Sequence, residues 1–233
     1  MLKNPWSIIG ARFVHPEDDA YLRRHNRTAK SSAEVHLQIP PLPYVGNPLT
    51  ARVILLGKNP SYSEVSEEDM DKNPALIDEG LKALTFESEY PIFYLDPRFE
   101  GTNGYRWWND ALKELIAVTE ERHGVDRDTV ISRVAAIQWH AYHTRRSFAP
   151  KEELPTQAFN FDMVRQGIAA KKKFVIQYGA VNERAWRAHL PELPADVITL
   201  KNPQTPNLSR GNMTPASFDL VVDLLGAPDS AAE

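Results

Sequence analysis

The chain has 233 residues, a formal net charge of −4 and no cysteine. The length suits one α/β domain with a substantial core, and the charge argues against a strongly basic nucleic-acid binder while leaving room for a local basic face. The missing thiols exclude disulfides, thiolate metal sites and Cys-ligated iron–sulfur clusters, and fit a cytoplasmic protein; no apolar run reaches the roughly 18 residues of a membrane span.

Residues 1–38 read as a polar N-terminal arm without the apolar stretch of a signal peptide. Within it, 18–27 predicts a short charged helix, and Arg23, Arg24 and Arg27 form a basic cluster, more a solvated face than a phosphate site. A proline-stiffened approach, Ile39-Pro40-Pro41-Leu42-Pro43-Tyr44, leads through the turn Gly46-Asn47-Pro48 to the first strand at 51–56. The acidic stretch 64–74 reads as loop plus helix start, 74–84 as a helix, and 91–97 as a short extended run. Trp108, Leu112, Leu115 and Ile116 recur at helical spacing and predict a helix over 105–121 after the turn 101–104. Further strands are predicted at 134–140, 174–179 and 197–200, with helices at 159–170, 181–189 and 214–225. Alternating strands and helices predict a three-layer α/β/α domain over 39–226 with a central, mostly parallel four-stranded sheet. Residues 227–233 read as a frayed tail.

Two strand ends carry the chemistry. Strand 51–56 runs into Gly57-Lys58-Asn59-Pro60-Ser61-Tyr62, and strand 197–200 runs into Lys201-Asn202-Pro203, followed by Leu208-Ser209-Arg210. In open α/β sheets ligands sit beyond the carboxyl ends of the strands, so the two Asn-Pro loops are expected to face one pocket. The chain resembles the uracil-DNA glycosylase superfamily over about residues 40–225. Gly57-Lys58-Asn59-Pro60 is similar to the G-x-N-P loop of its mismatch-specific and single-strand-selective branches. Asn202-Pro203 with Leu208-Ser209-Arg210 is similar to the N-P-S-G-L-S-R loop of the mismatch-specific branch, with about two residues more between.

The resemblance implies a base-excision glycosylase that flips a nucleotide out of the stack and hydrolyses its N-glycosidic bond without metal or cofactor. Asn59 would position the attacking water; an amide orients water but takes no proton from it. The bland alternative is that Asn59 caps the following turn. Asn202 would support the leaving base, or simply form its turn. Gly57, Lys58, Ser61 and Tyr62 belong to the base-binding loop; Ser61 stands where the uracil-specific branch has a Tyr, which opens the pocket to other bases. The superfamily's base-reading Asn is absent at the end of strand 134–140, leaving Gln138 or His140 for that role. Phe93 or Tyr94 would stack on the base, while Trp107 and Trp108 read as helix core. His140 and His143, three apart, read as unrelated rather than as a metal pair. Leu208 would be the wedge that fills the vacated stack, or a loop residue packed on the core; Ser209 and Arg210 would hold phosphate.

The expected partner is uracil-containing or mismatched DNA, the expected state a monomer. The carboxylates Glu64, Glu67, Glu68, Asp69 and Asp71 speak against a nearby DNA path. The rival readings are a catalytically weak or silent relative that serves as a nucleobase- or nucleic-acid-binding module, and an α/β hydrolase of small nucleosides.

Overall fold

The computed structural model describes residues 2–9, 13–146 and 153–229. Among the described residues, eight helices surround a five-stranded mixed sheet. In chain order the elements are α1 (Pro16–Asn26), β1 (Tyr44–Val45), β2 (Val53–Leu56), α2 (Glu64–Lys72), α3 (Pro74–Ala83), α4 (Asn103–His123) and α5 (Arg127–Ser132). There follow β3 (Val134–Ile137), α6 (Gln157–Ala169), β4 (Lys173–Ile176), α7 (Gly179–His189), β5 (Ile198–Thr199) and α8 (Pro215–Gly226).

The strands lie in the order β1-β3-β2-β4-β5. β2 pairs in parallel with both β3 and β4, β4 pairs in parallel with β5, and β1 runs antiparallel to β3. The expected four-stranded, mostly parallel sheet is thus corrected to a mixed one of five. The extra strand, Tyr44–Val45, is two residues between Pro43 and Gly46. A run that short carries no periodicity to read.

Every residue of β2 is buried, and successive side chains enter different cores. Val53 and Leu55 join residues of α3, α4, α5 and α8. Ile54 and Leu56 join residues of α1, α6 and α7. Burial on both faces is why this strand reads as a continuous apolar run rather than an alternation. The N-terminal segment expected to be a polar arm contributes Trp6, Leu22 and Val35 to the second core.

Several local readings change. Residues 64–72 are helix, not loop, because Ser63 caps the first turn by accepting from Ser66 N at 3.1 Å. The run 91–97 is not extended: Phe93–Leu95 and Pro97–Phe99 are single 3₁₀ turns, the second capped by Asp96. Helix α4 begins two residues before its expected start, since Thr102 Oγ1 accepts from Tyr105 N at 3.2 Å. Of the tail after Gly226, Asp229 pairs with Arg52 and Arg133; residues 230–233 lie outside the described residues.

Register decides where the site forms. Leu56 stands beside Ile137 on one side and Ile176 on the other. The three central strands therefore end level, and the segments beginning at Gly57, Gln138 and Gln177 leave the sheet side by side.

Candidate active site

The segments after β2 and β3 stay paired beyond the sheet. Gly57 N donates to Ile137 O (2.9 Å), His140 N to Lys58 O (2.8 Å), Thr144 N to Pro60 O (3.3 Å) and Tyr62 N to Thr144 O (2.9 Å). Ser61 and Thr144 form a parallel bridge. This lacing holds the Asn59 loop as a fixed surface rather than a free turn.

Asn59 is held in turn. Its Nδ2 donates to Thr144 Oγ1 at 2.8 Å and to Pro60 O at 3.0 Å. An amide nitrogen has two hydrogens, and both are used. The donor capacity of this side chain is therefore spent within the protein, which fixes the orientation of the amide.

Gly57 makes room for Gln138. A Cβ built on Gly57 would lie 2.2 Å from Gln138 Oε1. Gln138 is 7% exposed, and its Oε1 is buried with no hydrogen-bond partner. A buried amide oxygen without a partner costs about 1–3 kcal/mol, a cost that marks this position as one not chosen for stability alone.

Asn59, Ser61 and Gln138 line one pocket of about 900 Å³, counting the solvent at its mouth. Aromatic walls face these polar groups: Tyr94, Trp107 and Trp108, with Tyr178 from the end of β4. Tyr94 lies flat against Gly104, where a Cβ would come within 2.3 Å of its ring. Tyr178 has φ of +62°, a left-handed conformation that a non-glycine residue adopts at a cost. Helix α2 closes the remaining side with Ser63, Ser66, Asp69 and Met70. Here Asn103 Nδ2 donates to Ser66 Oγ at 2.9 Å, and Asp69 Oδ2 accepts from Asn103 N at 2.6 Å. The acidic insertion is thus a wall of the pocket.

The titratable groups are set mainly by burial. His143 lines the pocket, and its Nδ1 lies 3.0 Å from Ser61 O, which fixes the proton on that nitrogen. Burial pushes its pKa down to about 4 against the pull of the Ser61 and Pro40 carbonyls, so the ring is neutral at pH 7. His140 is pushed down to about 3, by burial first and by the charge of Lys58 second. Burial raises the phenols of Tyr94 and Tyr178, which stay protonated.

The other expected site residues fall elsewhere. Lys58 and His140 do not line the pocket. Tyr62 is buried, stacked on His36 at 3.3 Å between ring centroids, with its hydroxyl on Glu67. That hydrogen bond is the main reason its pKa rises to about 12. Phe93 sits in the core behind Tyr94, their rings 4.1 Å apart. Trp108 is helix core as expected, 4% exposed, and Trp107 packs against the same core; both also border the pocket.

The late loop does not meet the Asn59 loop at this pocket. Asn202 folds on its own turn: Oδ1 accepts from Gln204 N (2.8 Å), Nδ2 donates to Thr205 Oγ1 (3.1 Å), and its N donates to Asn212 Oδ1 (2.7 Å). Leu208 is 1% exposed, packed in the first core, with its N donating to Ala111 O at 2.8 Å. Ser209 O accepts from Asn212 N and Met213 N. Arg210 lies over the Phe218 ring at 5.0 Å and pairs with Glu114 at 3.8 Å. The loop reaches the neighbourhood of the site through Pro203, whose Cβ would stand 3.2 Å from a Cβ on Gly179.

Sequence reasoning missed four groups: Asp69 as a wall, His143, Thr144 and Tyr178. The only usable signal was Tyr178-Gly179 at a strand end, where positive φ at both marks a forced turn. The Thr144 contact spans 85 residues and has no local signature.

Compared with protein-family models, curated proteins and solved structures, the chain finds no match.

Proposed function

We propose that the chain hydrolyses an N-glycosidic bond, with a planar nucleobase held in the pocket between Gln138 and the aromatic walls. The observation that carries this reading is the Gln138 amide. It is buried, makes no hydrogen bond through Oε1, and stands in the same pocket as Asn59. A primary amide offers one acceptor and one donor side by side, the complement of an imide or amidine edge such as that of uracil. Tyr94, Trp107 and Tyr178 offer faces on which a base can stack. Asn59 would then position the water that attacks the anomeric carbon. The likeness of Gly57-Lys58-Asn59-Pro60 to the water-positioning loop of the uracil-DNA glycosylase superfamily supports the same assignment and the superfamily's three-layer architecture.

The leading substrate is a uracil or related base in DNA. A second reading, a free nucleoside, is favoured by one set of contacts: Leu208 is packed inside the protein and Arg210 is engaged with Glu114 and Phe218. Helix α2 adds carboxylates beside the pocket, of which Glu64 is paired with Arg145 and Glu68 with Lys72. A polyanion gains nothing from that rim.

The test is base release from labelled oligonucleotides carrying uracil, single-stranded or opposite G or A, run beside free deoxyuridine. Asn59→Ala is expected to abolish release from whichever substrate the wild type cleaves. Full activity in Asn59→Ala would refute the water-positioning role. Release from deoxyuridine alone would select the nucleoside reading.

A further inference from the structure

Hydrolysis needs a group that takes a proton from water as the C–N bond breaks, and Asn59 cannot be that group: an amide is no base at neutral pH, and both its N–H bonds are committed to Pro60 O and Thr144 Oγ1. The candidates are the other titratable side chains of the pocket: Asp69, Tyr94, His143 and Tyr178. Both phenols are held in the protonated form by burial and so cannot take a further proton. His143 is 5% exposed, with Nδ1 committed to Ser61 O and Nε2 buried. Asp69 is half-buried and is the one carboxylate on the wall among the described residues. It is also oriented: Oδ2 accepts the Asn103 amide at 2.6 Å, in the first turn of α4. Oδ1 has no hydrogen-bond partner among the described residues. The Ser63–Ser66–Asn103 hydrogen bonds brace the same corner, so this carboxylate stands on two helices rather than on a mobile loop.

From this geometry we infer that Asp69, ten residues beyond Asn59 and on a different element, is the proton acceptor of the site. The inference rests on the N-glycosidic reading above and supplies the base that reading lacks. In the step it describes, a water held by Asn59 gives one proton to Asp69 Oδ1. The water oxygen forms a bond to the anomeric carbon. The C–N bond breaks, and its electron pair leaves on the base, whose developing charge the Gln138 amide N–H can meet. The proton on Asp69 then passes to the departing base. One water is consumed, and a free base and a sugar hydroxyl are produced.

Asp69→Asn is the informative variant, since Asn keeps a carbonyl oxygen for the Asn103 amide while losing the basic group. Single-turnover base release should fall by about a hundredfold or more, the range expected of acid–base groups. Substrate affinity, measured by titration of fluorescent oligonucleotide or deoxyuridine, and the thermal midpoint should stay at wild-type values. Formate added to Asp69→Ala should restore part of the lost rate, because a small carboxylate can occupy the space and take the proton. An unchanged single-turnover rate in Asp69→Asn would overturn the assignment to Asp69 and leave the glycosidic reading standing. A rate that falls only in step with affinity, without rescue by formate, would mark Asp69 as a strut and overturn its role as base. No base release by the wild type from any of these substrates would overturn both.

Discussion

Gly57 and Gln138 set the selectivity of the pocket at the scale of single atoms. Gly57 is not in the left-handed region, so the backbone itself would accept a side chain there. The obstacle is Gln138 Oε1, 2.2 Å from where a Cβ would stand. That atom ends a flexible side chain, so it would swing aside rather than unfold the loop. Gly57→Ala is therefore expected to leave stability nearly intact and to move the amide out of register. Affinity for the base should drop about tenfold, the equivalent of roughly one well-formed hydrogen bond. Titration of binding beside a thermal melt checks it; a large fall in melting temperature with unchanged affinity would contradict it. At this scale the sequence was informative where chemistry is local. Gln138 could be picked out because it ends an apolar run, and Asn59 because it sits in an Asn-Pro loop after one. Thr144, Asp69 and His143 could not, since what makes them matter is a neighbour 34 to 85 residues away.

At the scale of elements, the chain announces its long helices and its central strands. α4 carries its apolar stripe, its Thr102 cap and Gly124 at φ +69°, so propensity, pattern and caps agree. β1, two residues long, is fixed by its neighbours and not by its own pattern, whereas β5 lies within the apolar run 197–200 that predicts it. The late loop shows what is lost when a segment is read alone. Leu208 among Asn207, Ser209 and Arg210 looks like an exposed apolar tip, yet the loop folds back so that Leu208 N meets Ala111 O on α4. Packing on a distant helix cannot be seen in the loop's own residues. The two roles differ measurably. A core leucine cut to alanine costs about 2–5 kcal/mol, so Leu208→Ala should lower the denaturation midpoint markedly and leave any binding of oligonucleotide by the folded fraction unchanged. A wedge would do the reverse, losing duplex affinity at unchanged stability.

The whole molecule is coupled to pH through groups buried beside the site. His140 and His143 take up protons near pH 6.5 when unfolded, but folded they resist down to about 3 and about 4. Between pH 6.5 and those values the unfolded chain binds more protons, so stability falls as pH falls. By pH 5 each histidine should have removed roughly 2 kcal/mol. Asp18 acts in the opposite sense. Burial raises it above its ordinary value against hydrogen bonds from Thr156 and Tyr142, so the folded state takes its proton first and gains as pH falls through that window. This carboxylate lies on α1 and binds the turn before α6, which makes the N-terminal segment part of the same balance. Two histidines against one aspartate leave a net loss on acidification. Melts from pH 7 to pH 5, above the range where most carboxylates titrate, should show the midpoint falling. His140→Gln, which has no charge to gain, should flatten that slope by more than half, because it removes one of two similar histidine contributions while Asp18 still opposes the other. A wild-type midpoint that holds level across the interval would mean that the end of β3 opens to water far more than its burial indicates, and with it the rigid backing that the Asn59 loop takes from His140 N and Thr144.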